Sequence, residues 1–131
     1  MPERPWQALV RQLTDAGYES PYLDRLRARV DPAQAQDTLE QEIIREMAAA
    51  LGRAEDKLNA ALLRLELAGR ALAAAIDRGE RRDRAIAFNA ERVQALRARW
   101  ELTIQREAVG MRRNEMLERL YPIPAAVALD D

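Results

Sequence analysis

From residue 33 to residue 120 the sequence keeps a helical pattern that is strongly broken at one place only, Gly79. The segment Tyr121-Pro122-Ile123-Pro124 then stops any helix, because proline lacks an amide hydrogen and restricts the residue before it. Each arm beside Gly79 has about 40 residues, which is roughly 60 Å of α-helix. Two arms of equal length around a short turn are typical of an antiparallel hairpin. We therefore predict helices up to about Arg78 and from Glu80 to Leu120, with the turn at Gly79.

Apolar residues repeat every seven positions along the first arm, and mostly small residues follow three positions later. The first set is Ile44, Leu51, Leu58, Leu65 and Leu72, and the second is Met47, Ala54, Ala61, Ala68 and Ala75. The second arm offers Ile86, Val93, Leu96, Trp100, Ile104, Ala108 and Met111. Folding about Gly79 places residue i level with residue 159 − i, so that large residues face small ones in a coiled-coil-like seam. The alternative is two helices that splay apart and pack elsewhere.

The composition favours an all-α fold. Alanine, leucine and arginine, with 25, 17 and 20 residues, are strong helix formers, whereas β-branched and aromatic residues are scarce. The length of 131 residues indicates a single domain. We predict short N-terminal helices within residues 1–36, the hairpin over 37–120 and a C-terminal tail over 121–131.

Local signals divide the N-terminal part of the chain. An apolar helical pattern from Trp6 to Leu13 stops before Gly17, which predicts a C-terminal cap at that glycine. Ser20-Pro21 predicts the start of a second short helix, because serine is a good N-cap and proline a good first helical residue. The long helix can begin at Asp31 or at Asp37.

Several apolar residues lie off the predicted seam and need another surface to bury them. They are Leu62, Leu63, Leu67, Phe88, Leu102 and Val109. The N-terminal helices are too short to cover the whole hairpin, so we predict a homodimer that forms a four-helix bundle through the stretch 62–67. The alternative is a monomer whose exposed apolar residues bind a different protein.

Two motifs lie near the open end of the predicted hairpin. The first is Leu39-Glu40-Gln41-Glu42-Ile43 with Glu46, Ala48 and Leu51-Gly52-Arg53, and the second is Trp100 with Gln105-Arg106-Glu107-Ala108, Gly110 and Arg112, before a turn from Tyr121 to Pro124. With these motifs the chain resembles a family of small bacterial all-helical proteins of unknown function over about residues 39–124. The resemblance implies a helical fold and no particular activity.

The same motifs carry charges that the predicted register brings to one level. These residues are Glu42, Glu46, Arg53, Arg106, Glu107, Arg112 and Arg113. Small residues at that level let the helices approach, so we predict an interhelical ion network that fixes their register. The alternatives are separate solvated ion pairs, which contribute at most about 1 kcal/mol each, and a ligand site.

The residue types limit the chemistry. The chain has no cysteine and no histidine, which excludes disulfides, thiolate nucleophiles, histidine-based triads and the usual zinc sites. Acid–base work could fall only to carboxylates, tyrosines, arginines or Lys57, and no glycine-rich phosphate loop occurs. We therefore expect no enzyme, no catalytic or metal-binding residue and no cofactor.

The net charge and the hydropathy of the chain limit the classes of partner that we expect it to bind. A net charge of −1 argues against general binding to nucleic acids or anionic membranes. Residues 79–120 nevertheless hold ten arginines against seven acids, so a nucleic-acid-associated helical protein is the alternative function. No apolar run suits a membrane span or a signal peptide, and a cytoplasmic location is the default. The sequence thus favours a non-catalytic protein-interaction or structural helical module that acts as a homo-oligomer.

Overall fold

The computed structural model describes residues 5–27 and 39–129. Its helices are α1 (Pro5–Asp15), α2 (Pro21–Arg27), α3 (Leu39–Ala73), α4 (Arg78–Ala108) and α5 (Leu117–Leu120). The predicted all-α fold is confirmed, since α3 and α4 pack against each other as a long hairpin after two short helices. Within the described ranges, no helix combines the length and the apolar character that crossing a bilayer requires.

The end of α1 and the start of α2 lie where their local signals predict them. The Ser20 hydroxyl accepts a hydrogen bond from the Tyr22 amide at 3.2 Å, and the Ser20 carbonyl accepts the first helical bond of α2 from Asp24 at 3.0 Å. Gly17 has φ +74°, and Tyr18 N–H bonds back to the Leu13 carbonyl at 3.0 Å in a Schellman cap. The predicted start signals of the long helix at Asp31 and Asp37 lie outside the described residues.

The hairpin turn does not lie at Gly79, and this prediction is wrong. α3 ends at Ala73, and Asp77 is the N-cap of α4, with its carboxylate accepting a bond from Glu80 N–H at 2.7 Å. Glu80 in turn accepts a longer bond from Ile76 N–H at 3.4 Å, as in a capping box displaced by one residue. Gly79 lies in the first turn of α4, and its φ is not positive. The N-cap at Asp77 therefore fixes the position of the turn, and Gly79 occupies an ordinary helical position.

The predicted register survives the misplaced turn. Lys57 Nζ lies 2.7 Å from Glu101 Oε2, and Glu101 is one position from residue 102, which the rule 159 − i places level with Lys57. A Cβ atom added at Gly69 would lie 3.5 Å from the Phe88 ring. The end of α3 is therefore level with about residue 85, and α4 starts roughly 10 Å beyond it. Two turns of α4 project past the end of α3, which compensates for the earlier turn.

The second helix is shorter than predicted, because it ends at Ala108 and not at Leu120. Gly110 adopts φ +88°, Met111 N–H bonds to the Arg106 carbonyl at 2.8 Å, and Gly110 N–H bonds to the Glu107 carbonyl at 3.0 Å. This is a Schellman motif, which turns the chain out of the helical path. The chain then reverses direction and runs back along α4.

The returning C-terminal segment, residues 117–129, is fixed to α4 by side chains that bond its backbone. Asn89 accepts from Val127 N–H at 2.8 Å and donates to the Val127 carbonyl at 2.9 Å. Arg92 Nε donates to the Pro124 carbonyl at 2.7 Å, and Arg99 donates to the Tyr121 carbonyl at 3.0 Å. These side chains supply hydrogen-bond partners for the backbone of an irregular segment.

Helix α3 is the central element of the fold, because its middle third is buried on two sides. On one side lies a cluster of Leu58, Ala61, Leu62, Leu65, Phe88, Ala95, Ala98, Leu102 and Leu117. On the other side α1 and α2 pack through Trp6, Val10, Leu23, Leu26, Ala60 and Leu63. Arg25 connects the layers, since it donates to Asn59 at 3.1 Å and its Cζ lies 5.4 Å from the Tyr121 ring centroid.

Candidate interaction surface

Helix α4 carries apolar residues on two opposite faces. The face against α3 consists of Ala85, Phe88, Ala95, Ala98 and Leu102, all of which are buried. Three of these five residues are alanines, which lets the leucines of α3 come close to the backbone of α4. The opposite face of α4 points to solvent.

The outer face of α4 presents a line of large apolar side chains. We define the α4 stripe as Ile86, Ala90, Val93, Arg97, Trp100 and Ile104, all of them exposed. Ile86 and Val93 are each 47% exposed, Trp100 is 64% exposed and Ile104 is 45% exposed. Successive members are four, three, four, three and four residues apart, the spacing of a coiled-coil seam. Such a line of half-exposed large side chains is the type of surface that binds another polypeptide.

The sequence predicted these two faces of α4 the wrong way round. Ile86, Val93, Trp100 and Ile104 were expected in the seam against α3, but the structure exposes them. Both faces have helical apolar spacing, so periodicity alone does not distinguish them. The structure buries the face that has more alanine, because close approach to α3 gives better packing than opposing two rows of large side chains.

Four of the six predicted interaction residues lie in the core of the single chain. Leu62, Leu63, Phe88 and Leu102 are 3%, 0%, 7% and 1% exposed, and Leu67 and Val109 are half-buried. Helices α1 and α2 cover Leu63, and α4 covers Leu62. The stretch 62–67 therefore does not offer the predicted dimer interface. Helices α1, α2 and α4 of the same chain already cover the leucines that were expected to contact a second copy.

The surroundings of the α4 stripe differ on its two sides. Beside Trp100 lies a hollow of about 370 Å³ whose walls include Leu96, Thr103 and Leu117. On the other side, Ile104 borders a hollow of about 310 Å³ against α3, near the ion pair of Lys57 and Glu101. This ion pair is solvent-exposed, with side-chain exposures of 62% and 39%, so it contributes at most about 1 kcal/mol. The stripe is thus an apolar ridge with partly polar margins.

The predicted ion network does not form among its members, all of which belong to the described residues. Arg106 donates instead to Asn114 Oδ1 at 2.7 Å and to the Arg113 carbonyl at 3.3 Å. Glu42 and Glu46 are exposed, as are the remaining members of the predicted network, Arg53, Glu107, Arg112 and Arg113. The physical reason is the end of α4 at Ala108, since the network required a helix that continued past Arg113.

Because α4 ends at Ala108, the first part of α3 has no neighbouring helix among the residues that the structure describes. Residues 40–49, which we call the α3 overhang, are all exposed. Ile43, Ile44 and Met47 are 52%, 66% and 43% exposed. Ile44 and Met47 begin the predicted heptad seam, and α4 ends before it reaches them. The overhang is a second apolar surface, smaller than the α4 stripe.

Tyr18, between α1 and α2, is a titratable group whose surroundings shift its pKa. Burial and a hydrogen bond that its hydroxyl donates to Glu66 raise the pKa of Tyr18 to about 12. The guanidinium of Arg70 lies 4.9 Å from the centroid of the tyrosine ring. The tyrosine is therefore held in its protonated form, which suits a structural hydrogen bond between the N-terminal part and α3. Among the residues that the structure describes, no group of three or more carboxylates is placed to hold a metal ion.

The chain was compared with protein-family models, with curated proteins and with solved structures, and nothing matches it. The resemblance to small bacterial helical proteins, based on residues 39–53 and 100–124, therefore stays a prediction.

Proposed function

We propose that this chain is a non-catalytic protein-interaction module that binds another polypeptide through the α4 stripe. The observation that carries the proposal is the line of Ile86, Val93, Trp100 and Ile104, four large apolar side chains exposed by 45% or more along one helix. The proposal keeps the expectations of a cytoplasmic location and of no cofactor.

The energetics of the stripe support this function. Scattered apolar side chains are normal on a protein surface, but a contiguous row is uncommon on a monomer and is typical of an interface. Trp100 near one end of the row is the residue type most enriched among interface hot spots. The hollow beside it, walled by Leu96 and Leu117, gives a partner side chain a place to insert. Burying such a row against a partner helix removes apolar surface from water, at roughly 25 cal/mol per Å².

Association with nucleic acid is the second candidate function. It would require arginines of α4 other than Arg92, Arg99 and Arg106. Arg92, Arg99 and Arg106 donate to carbonyl or amide oxygens of the C-terminal part, so these arginines have a structural role. The remaining cluster lies at the hairpin tip, where Arg78, Arg81 and Arg82 line a hollow of about 440 Å³. Retention of nucleic acid on a filter at low salt, lost in a variant with Arg78 and Arg81 changed to Gln, would support this second function.

Site-specific photo-crosslinking in the producing cells tests the protein-interaction proposal. A photoreactive phenylalanine analogue replaces Val93 on the stripe, and a matched control replaces Arg64, which is exposed on α3. We expect a discrete cross-linked product from position 93 that is absent from position 64. The product's mass shows whether its second component is the same chain or another protein. No product above the control from position 93 contradicts the proposed function.

A further inference from the structure

We propose that the occupant of the α4 stripe is a second copy of this chain, with the two α4 helices antiparallel and residue i level with residue 190 − i of the partner. The inference rests on the proposed function and specifies its partner. Its basis is the order of residue sizes and charges along the stripe.

The stripe is complementary to itself in this register. Trp100 lies level with Ala90 of the other copy, so that the largest side chain of the stripe meets the smallest. Ile86 lies level with Ile104, and Val93 with Arg97. The twofold axis then lies between the two stripes at the level of residue 95, and all six members of the stripe pair with another member. Twofold symmetry with the same surface on both copies is the commonest arrangement of soluble oligomers.

A parallel arrangement lacks this complementarity. It would place Trp100 beside Trp100 and Arg97 beside Arg97, which creates one overfilled layer and one layer of like charges. In the antiparallel register the two Arg97 Cα atoms are separated by roughly 6 Å along the axis, and each guanidinium can extend past Val93 into solvent. Antiparallel helices also align their dipoles favourably. Charge and size thus favour the same orientation.

The buried area suits a weak dimer. With 45–64% of their surfaces exposed, the four large side chains present on the order of 400 Å² per copy. Two copies would therefore bury about 800 Å² of these side chains, and the flanking Ala87, Ala90, Gln94 and Arg97 bring the total towards the roughly 1,200 Å² of the smallest stable interfaces. We expect a dimer that dissociates at micromolar concentrations.

The first experiment measures mass by light scattering over a concentration series with size-complementarity variants. The wild-type mass should rise from 14.9 kDa towards twice that value as concentration increases. Ala90→Trp should abolish this rise, because two tryptophans then occupy one layer. The double variant Ala90→Trp with Trp100→Ala exchanges the partners of that layer and should restore the rise. Ala49→Trp, at an exposed position of the α3 overhang, is the matched control and should behave as wild type.

The second experiment measures orientation through single cysteines in this cysteine-free chain. Gln94 and Ala87 are both exposed on the same side of the stripe. In the antiparallel register the two copies of residue 94 lie within roughly 3 Å along the axis, whereas the two copies of residue 87 are roughly 24 Å apart. A short bismaleimide should therefore link Gln94→Cys into covalent dimers and leave Ala87→Cys as monomers.

Each outcome decides the inference. A wild-type mass of one chain at all concentrations overturns the second copy as occupant, as does an Ala90→Trp variant that still dimerises. Equal linking of both cysteine variants overturns the antiparallel register. A photo-crosslinked product with a different protein at position 93, together with a monomeric purified chain, overturns this inference and leaves the proposed function standing. Loss of that product altogether overturns both.

Discussion

Replacing Leu63 by alanine tests which apolar surface of the chain is core. Leu63 is 0% exposed and packs with Trp6, Val10, Leu23 and Leu26 from two helices. Removing its isobutyl group costs the transfer free energy of the lost atoms and the energy of the cavity left behind, which is about 2–5 kcal/mol for buried leucines. Because α2 has only seven residues and can move partly into the space, we expect about 3 kcal/mol.

The assay is urea unfolding followed by circular dichroism, with Val93→Ala as the matched control. For a domain of this size the urea m-value is about 1.5 kcal/mol per molar, so Leu63→Ala should lower the midpoint by about 2 M with an unchanged m-value. Val93 is 47% exposed, and its truncation should cost less than about 1 kcal/mol at low protein concentration. Equal midpoints for the two variants, or a larger loss from Val93→Ala, would refute the assignment of the two surfaces.

Four further substitutions have defined outcomes. Gly79→Ala should stabilise the chain by about 0.5 kcal/mol because Gly79 is helical, whereas Gly110→Ala should cost about 1 kcal/mol or more because φ is +88°, both measured by thermal melting. Because the pKa of Tyr18 is raised to about 12 in the folded chain, the wild type loses stability as pH rises from 10 to about 12. The difference in unfolding free energy between wild type and Tyr18→Phe should therefore shrink across that range. A difference that stays constant with pH would contradict this prediction. Asn89→Ala should accelerate hydrogen exchange at the Val127 amide without unfolding the hairpin, and unchanged exchange would contradict the docking of the C-terminal segment.

The sequence predicts the parts of the fold that depend on local signals and on long periodicity. The cap at Gly17 and the start at Ser20-Pro21 need only neighbouring residues, and both are confirmed. The hairpin and its register follow from the seven-residue repeat and from arms of similar length, and the contact of Lys57 with Glu101 agrees with them. These features do not require knowledge of which helix faces are buried.

The sequence contains signals for the observed ends of the hairpin helices, although the predicted ends differ from them. Asp77 and Glu80 have the spacing of a capping box, which outweighs the neighbouring Gly79 as a turn signal. Gly110 follows a helical run and could have predicted the end of α4. The shorter α4 then removes the predicted ion network, since Arg113 no longer lies on a helix beside Glu46.

The identity of the candidate surface could not be derived from periodicity. Phe88 and Leu102 form one apolar face of α4, and Val93 and Trp100 form the opposite face, each with good helical spacing. Which face packs on α3 depends on close approach of two helices and on the path of the C-terminal segment, both of which are tertiary effects. The excess of alanine on the buried face is the sequence signal that could have distinguished them.

The environment of Trp100 in solution tests the central claim, that the α4 stripe is a docking surface occupied by a second copy. Trp6 is the other tryptophan, so a Trp6→Phe variant with a native circular dichroism spectrum reports on Trp100 alone. The account predicts that its fluorescence shifts to shorter wavelength and becomes protected from acrylamide quenching as protein concentration rises through the micromolar range. Emission typical of a water-exposed indole, with full quenching at every concentration, would contradict it.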